Sequence, residues 1–205
     1  WSDSVNDGTS EKIGTADSNE NLGSAGTVNP LGISMSDSGE VIAWQKKSTT
    51  GDYRQVEYWK NGITYKITGK GWPVVSHDGR YILTHDYLYD TQQELGLDFG
   101  DAEHGDMAAS LNYRHTFDMD YDANYIVFTG QLDKKLYFHN RTANKTTLVH
   151  ESNDDIRTPR ISPDGLNIVW EEKVNGQDWE IFTTDNPASE GGFDTTGTNI
   201  SQLPL

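Results

Sequence analysis

Carboxylates at every second position are the first residues of this sequence whose spacing could do chemistry. Asp118, Asp120 and Asp122 follow the alternation with which a calcium loop opens, because a hard cation takes several oxygen ligands and every second residue can turn one inward. The pattern departs from an EF-hand loop at two points. Ala123 stands at the turn glycine, and Thr129 stands at the twelfth position, where a bidentate Glu is needed. The competing reading is structural: Asp118 and Asp120 lie on a strand and Asp122 in the turn that follows. The expectation for cofactors is none, with calcium on these three carboxylates as the exception.

A second concentration of ionisable groups lies in Leu97 to His115, which carries Asp101, Glu103, His104, Asp106, Arg114 and His115 together with Tyr113. A conspicuous loop on a rigid scaffold is where binding groups are usually carried. These six ionisable residues are therefore the candidate binding residues, against the plainer reading of a solvated acidic loop. His104 beside acids has the chemistry of a metal ligand or a general base. The remaining histidines, His77, His85, His139 and His150, are scattered without ligand spacing. The sequence contains no glycine-rich phosphate loop and no Gly-x-Ser-x-Gly nucleophile elbow. With no cysteine, it also has no disulfide, thiolate metal site or cysteine nucleophile.

The elements that must position these groups are written four times. Met35 to Trp44, Val75 to Thr84, Met119 to Phe128 and Ile161 to Trp170 align without a gap: an apolar residue, a polar one, a tight turn and an Ile-centred run. The small turn residues Gly39, Gly79, Ala123 and Gly165 recur at intervals of 40, 44 and 42. Strand-type segments at a period of this size indicate propeller blades.

The internal chemistry of each repeat supports that assignment. In the last one, Thr158 to Ser162 is a first strand, Pro163-Asp164-Gly165 a turn favoured by its backbone angles, and Asn167 to Glu172 a second strand. Asp178 to Thr184 alternates as a third strand, and Thr198 to Leu203 supplies a fourth. Arg54 to Thr68 reads as two strands around Asn61-Gly62, a dipeptide that suits hairpin turns needing positive φ. The second repeat continues with strands in Tyr81–His85, Tyr87–Gln92 and Glu94–Phe99, and the third with Tyr125–Gly130, Lys135–Arg141 and Thr146–Glu151. No segment carries a sustained helical stripe. The expected fold is all-β, a β-propeller array of about four four-stranded blades spanning roughly 31–69, 70–112, 113–153 and 154–205. Trp44, Phe128 and Trp170 share one repeat position and should be buried between sheets, with Thr84 the polar exception.

The fourth repeat, in particular Arg160 to Trp170, Asp178 to Asp185 and Asn199 to Leu203, resembles the TolB-type, WD-like propeller repeat. At the level of architecture the resemblance covers Gly32 to Leu203. Ser38 stands at the Asp of the family's Ser-Pro-Asp-Gly turn, His77 and Tyr121 at its Pro, and Ala123 at its Gly. The resemblance implies an exported protein, periplasmic or extracellular. It also implies a choice of roles, since such propellers serve as docking modules, as accessory domains of peptidases and as polysaccharide lyases. The first reading is a non-catalytic module that binds a protein or glycan on one face. The second is a lyase acting on a uronic-acid polymer, in which His and Tyr move protons; its candidates are His77, His85, His104, His115, Tyr113 and Arg114. The third is a structural subunit whose blade edges pair between copies.

Composition narrows these choices. The formal charge of −16 over 205 residues repels phosphate backbones and anionic membrane surfaces, which argues against nucleic acid as a partner. It also weakens the lyase reading, because a uronate groove should be basic and only Lys134, Lys135, Arg141, Arg157 and Arg160 offer local positive charge. No stretch is long and apolar enough to predict insertion into a membrane. Trp1 to Pro30 has a different composition, with Ser, Gly, Asn, Asp and Thr at 19 of 30 positions, and reads as a flexible lead. Its alternative role is to donate a strand near Glu11 to Thr15. Four blades is the lower limit for a closed propeller. The chain is thus a small ring, an arc of a larger propeller, or an arc completed by further blades or self-association.

Overall fold

A computed structural model describes residues 32–47, 54–67, 72–84, 87–98, 117–130, 134–188 and 198–199. Every regular element among them is a β-strand. The lead, the Leu97 to His115 loop beyond Asp98, His85 and the residues after Asn199 lie outside this set.

Four antiparallel sheets follow one another in chain order, each a simple meander of four strands. The first holds β1 (Ile33–Met35), β2 (Val41–Lys47), β3 (Arg54–Lys60) and β4 (Ile63–Ile67). The second holds β5 (Val74–Val75), β6 (Tyr81–Leu83), β7 (Tyr87–Asp90) and β8 (Leu95–Asp98). The third holds β9 (Phe117–Met119), β10 (Tyr125–Thr129), β11 (Lys135–Asn140) and β12 (Lys145–Glu151). The fourth holds β13 (Ile156–Ile161), β14 (Asn167–Val174), β15 (Asp178–Asp185) and β16 (Thr198–Asn199). This is the architecture of part of a β-propeller, as the repeat predicts. The Asn61-Gly62 hairpin is present, with both residues at positive φ (53° and 80°). The fourth sheet starts earlier than its sequence indicates: β13 begins at Ile156 and passes through a bulge at Thr158, whose φ of 48° shifts the register against β14.

The period-2 alternation of each second strand explains how the sheets stack. Val41 and Ala43 point toward the second sheet, where they meet Val75 and Ile82. Tyr81, Leu83 and Leu88 point onward to Phe117, Met119, Ile126 and Phe128 of the third sheet. Val127, Leu136 and Phe138 then face Ile161, Ile168 and Trp170 of the fourth. The second and third sheets thus turn one side to the blade before them and the other to the blade after them. Trp44, Thr84, Phe128 and Trp170 are all buried; Phe128 and Trp170 pack between neighbouring sheets as expected, whereas Trp44 lies on the side of the first sheet that faces away from the second.

Candidate functional site: the row of first turns

The β1–β2 turn and its three counterparts convert the repeat motif into one built surface. The last residue of each turn is in the left-handed region, at φ 72° for Gly39, 75° for Gly79, 57° for Ala123 and 71° for Gly165. That conformation is costly for a side chain, which accounts for Gly at three of the four places. The first residue closes the turn with a side-chain oxygen. Ser36, Ser76 and Ser162 accept the amides of Val41, Tyr81 and Asn167 at 3.2, 2.9 and 3.0 Å, and Asp120 accepts that of Tyr125 at 2.9 Å. In two repeats the Asp at the third position caps the returning strand, Asp78 accepting from Arg80 N–H and Asp164 from Leu166 N–H. The Ser162 hydroxyl and that amide hold the Asp164 carboxyl below the usual range.

Consecutive turns are tied to one another. The amide of Asp37 donates to the carbonyl of His77 at 3.0 Å, that of Asp78 to Tyr121 at 3.3 Å, and that of Tyr121 to Pro163 at 3.0 Å. Asp37, His77, Tyr121 and Pro163 occupy the same turn position in successive repeats, so these bonds line up their side chains across four blades. His77 Nδ1 lies 2.8 Å from Asp37 Oδ1, and its ring stacks on Tyr121 with centroids 6.0 Å apart and planes 12° apart. Tyr121 and Asp37 are exposed and His77 is half-buried. The row offers an aromatic platform, a carboxylate and an imidazole on a fixed backbone.

The three alternating carboxylates adjoin this row but do not converge. Asp118 turns toward the fourth blade and accepts the Ile161 amide at 3.1 Å. Burial pushes its carboxyl up, opposed by the charge of Arg160, the amides of Ile161 and Met119, and His77. Asp120 closes its own turn, and burial raises it to about 6 despite the Tyr125 amide. Asp122 accepts from the Asn124 side-chain amide at 2.8 Å. Among the described residues no group of three or more His, Cys, Asp or Glu could hold a metal ion.

The other sequence candidates are distributed as follows. Asp101, Glu103, His104, Asp106, Tyr113, Arg114, His115 and His85 lie outside the described residues. His77 is the one lyase candidate within the row. His139 bonds Thr146, and His150 pairs with Glu172 between the third and fourth blades. Arg141 is committed to packing: it donates to the Ala123 carbonyl and the Tyr81 hydroxyl and lies over the Tyr81 ring. Lys135 pairs with Glu151 and Arg157 with Glu171, while Lys134 donates to the Asn153 carbonyl. Asp37, Tyr121 and Pro163 were not singled out in the sequence. The available signal was their position beside the small turn residue, aligned with His77.

No family model matches this sequence, and no curated protein does. Solved structures do share its fold. TolB from Acinetobacter baumannii superposes with a TM-score of 0.58 at 14% identity, over 79% of this chain and 42% of that one. A protein assigned as TolB in Agrobacterium tumefaciens gives 0.54 at 16% identity, over 77% and 61% of the two chains. A puromycin-hydrolyzing peptidase of Mycobacterium tuberculosis gives 0.57 at 13% identity, over 89% and 31%. The fold is a TolB-like β-propeller, and the chain spans less than two thirds of each of these structures.

Proposed function

We propose that this chain is a non-catalytic, exported propeller module that binds a protein or glycan on the face formed by its first turns. The observation that carries this reading is the fixed row of Asp37, His77, Tyr121 and Pro163, joined by amide-to-carbonyl bonds between neighbouring blades. A row held by backbone bonds loses little conformational entropy on engaging a ligand, which favours binding over a broad surface. Exposed Tyr121 can stack on a sugar ring or an apolar side chain, and the Asp37–His77 pair can accept and donate hydrogen bonds beside it. The export in this reading is supported by the resemblance of the repeats to the TolB type.

The Leu97 to His115 loop joins β8 to β9 and so leaves the sheets at the end of the strands opposite these turns. A paired-variant experiment separates the two faces. The protein is screened against a glycan array and, by cross-linking, against proteins exported by its source organism. The screen is repeated with His77→Ala/Tyr121→Ala and with Asp101→Ala/His104→Ala/Asp106→Ala. The expected result is loss of the bound partner in the first variant and retention in the second. Full retention by the first variant would move the site to the other face. Cleavage of a uronate polymer with appearance of an unsaturated product would replace the non-catalytic reading with the lyase one.

A further inference from the structure

Asparagine is followed by glycine at two places in this chain, Asn61-Gly62 and Asn175-Gly176. That pairing can undergo covalent chemistry without an enzyme. The backbone nitrogen of the next residue can attack the side-chain carbonyl carbon of Asn, and glycine eases the approach because it carries no Cβ. In a folded protein the outcome depends on what holds the attacking nitrogen and the side chain.

Both pairs form hairpin tips, the first between β3 and β4 and the second between β14 and β15, and all four residues are exposed. Asn61 and Gly62 have φ of 53° and 80°, Asn175 and Gly176 of 52° and 67°. The bonds that close these turns bypass the glycine amides. Lys60 pairs directly with Ile63 across the first tip, and Gln177 N–H donates to the Val174 carbonyl at 3.1 Å across the second. Among the described residues neither asparagine side chain and neither glycine amide has a hydrogen-bond partner. An exposed tip of this kind opens locally at little cost, with its strand pairing intact.

Asp78-Gly79 and Asp164-Gly165 carry the same latent chemistry, and there the fold opposes it. The Gly79 amide donates to the Ser76 carbonyl at 2.9 Å and the Gly165 amide to the Ser162 carbonyl at 2.8 Å, which ties up both attacking nitrogens. Each carboxylate is also held by a hydroxyl and an amide, Asp78 by Ser76 and Arg80 and Asp164 by Ser162 and Leu166. Ring closure on a carboxyl expels water and needs the acid form, whereas its donors hold Asp164 below the usual carboxylate range.

We propose that Asn61 and Asn175 are sites of spontaneous deamidation in the folded protein, and that Asp78 and Asp164 are protected from the matching isomerisation. The glycine nitrogen gives up its proton to solvent base and bonds to the asparagine Cγ. The Cγ–Nδ2 bond breaks, ammonia leaves, and a five-membered succinimide remains. Water then opens the ring at one carbonyl to give aspartate or at the other to give isoaspartate, whose main chain is longer by one methylene. One water is consumed and one ammonia released, and each event adds a negative charge to a chain already at −16. The lengthened main chain no longer fits a two-residue hairpin turn. At Asn61 the change falls at the end of the first sheet that also carries the β1–β2 turn. It adjoins Lys60, whose Nζ donates to the Thr91 carbonyl and hydroxyl of the second blade, both at 3.2 Å.

The test incubates the full chain for weeks at mildly alkaline pH, folded and in urea. Digests are read by mass spectrometry for conversion of amide to acid, and isoaspartate is quantified by enzymatic methylation. In the folded chain Asn61 and Asn175 should convert at least about tenfold faster than Asn124, Asn140 and Asn167, which precede Tyr125, Arg141 and Ile168. Asp78 and Asp164 should gain isoaspartate in urea and not in the folded chain. An Asn61→Gln/Asn175→Gln variant should lose the acidic forms that accumulate on ion exchange. Conversion of Asn61 and Asn175 no faster than that of the other three would overturn the proposal. Isoaspartate at Asp78 or Asp164 forming as fast in the folded chain as in urea would also overturn it, as would acidic forms that persist in the double variant.

Discussion

Replacing Asp120 by Ser should stabilise the protein at neutral and alkaline pH and lose that benefit in acid. Asp120 occupies the place of Ser36, Ser76 and Ser162, and all four do the same work by accepting the amide of the returning strand. The Ser oxygens do so without a charge. Asp120 does so as a buried carboxyl whose value rises from 3.8 to about 6, with burial the main cause and Asp122 adding to it. The folded state therefore holds the Asp120 proton more tightly than the unfolded chain does. Its contribution is fully present below the unfolded value of 3.8 and lost as pH rises through about 6. The gap between the two values corresponds to about 3 kcal/mol, an upper bound because turns relax. Urea unfolding of both proteins at pH 4 and pH 8 measures it. The Asp120→Ser variant should gain roughly 1–3 kcal/mol at pH 8 and little or nothing at pH 4. A variant no more stable than the parent at pH 8, or one with the same gain at both pH values, would refute the argument that burial of this carboxyl costs stability.

Two further substitutions test the packing. Trp170→Ala should cost about 3–5 kcal/mol in denaturant unfolding, because Trp170 is buried between the third and fourth blades against Phe182 and His150. Gly165→Ala and Gly39→Ala share a left-handed backbone penalty of about 1–2 kcal/mol, but only the first places its Cβ against Tyr125, at 2.6 Å from Cδ2. The Gly165 variant should thus be the less stable of the two by at least about 1 kcal/mol, and equal melting curves would show that the turns of neighbouring blades are not in contact.

The fold was legible because each blade repeats the same local solution. An apolar strand end, a side-chain oxygen, a left-handed turn residue and an Ile-centred strand appear four times at nearly fixed spacing, and one-residue substitutions such as Ala123 or Asp120 do not obscure it. Ala123 adopts φ 57° and is fully buried, so the backbone conformation persists where its preferred residue is missing. The bulge at Thr158 was not legible, since it arises from pairing with β14 rather than from local sequence. The row of turns was hidden for a related reason. Asp37, His77, Tyr121 and Pro163 have no chemistry in common, and only the stacking of blades makes them neighbours. Spacing made Asp118, Asp120 and Asp122 look like one ligand set, while the strand and turn send them to three different partners.

The claim on which the rest depends is that these four turns form one rigid row, and amide hydrogen exchange measures it residue by residue. Asp37 and Tyr121 are exposed turn residues whose amides would exchange quickly in an isolated hairpin. Here both donate to the next blade, as does that of Asp78. All three should exchange far more slowly than the amide of the hairpin residue Gly62 and be released together with the core strands. Exchange of Asp37, Asp78 and Tyr121 at the rate of Gly62 would contradict the inter-blade row and the binding face built upon it.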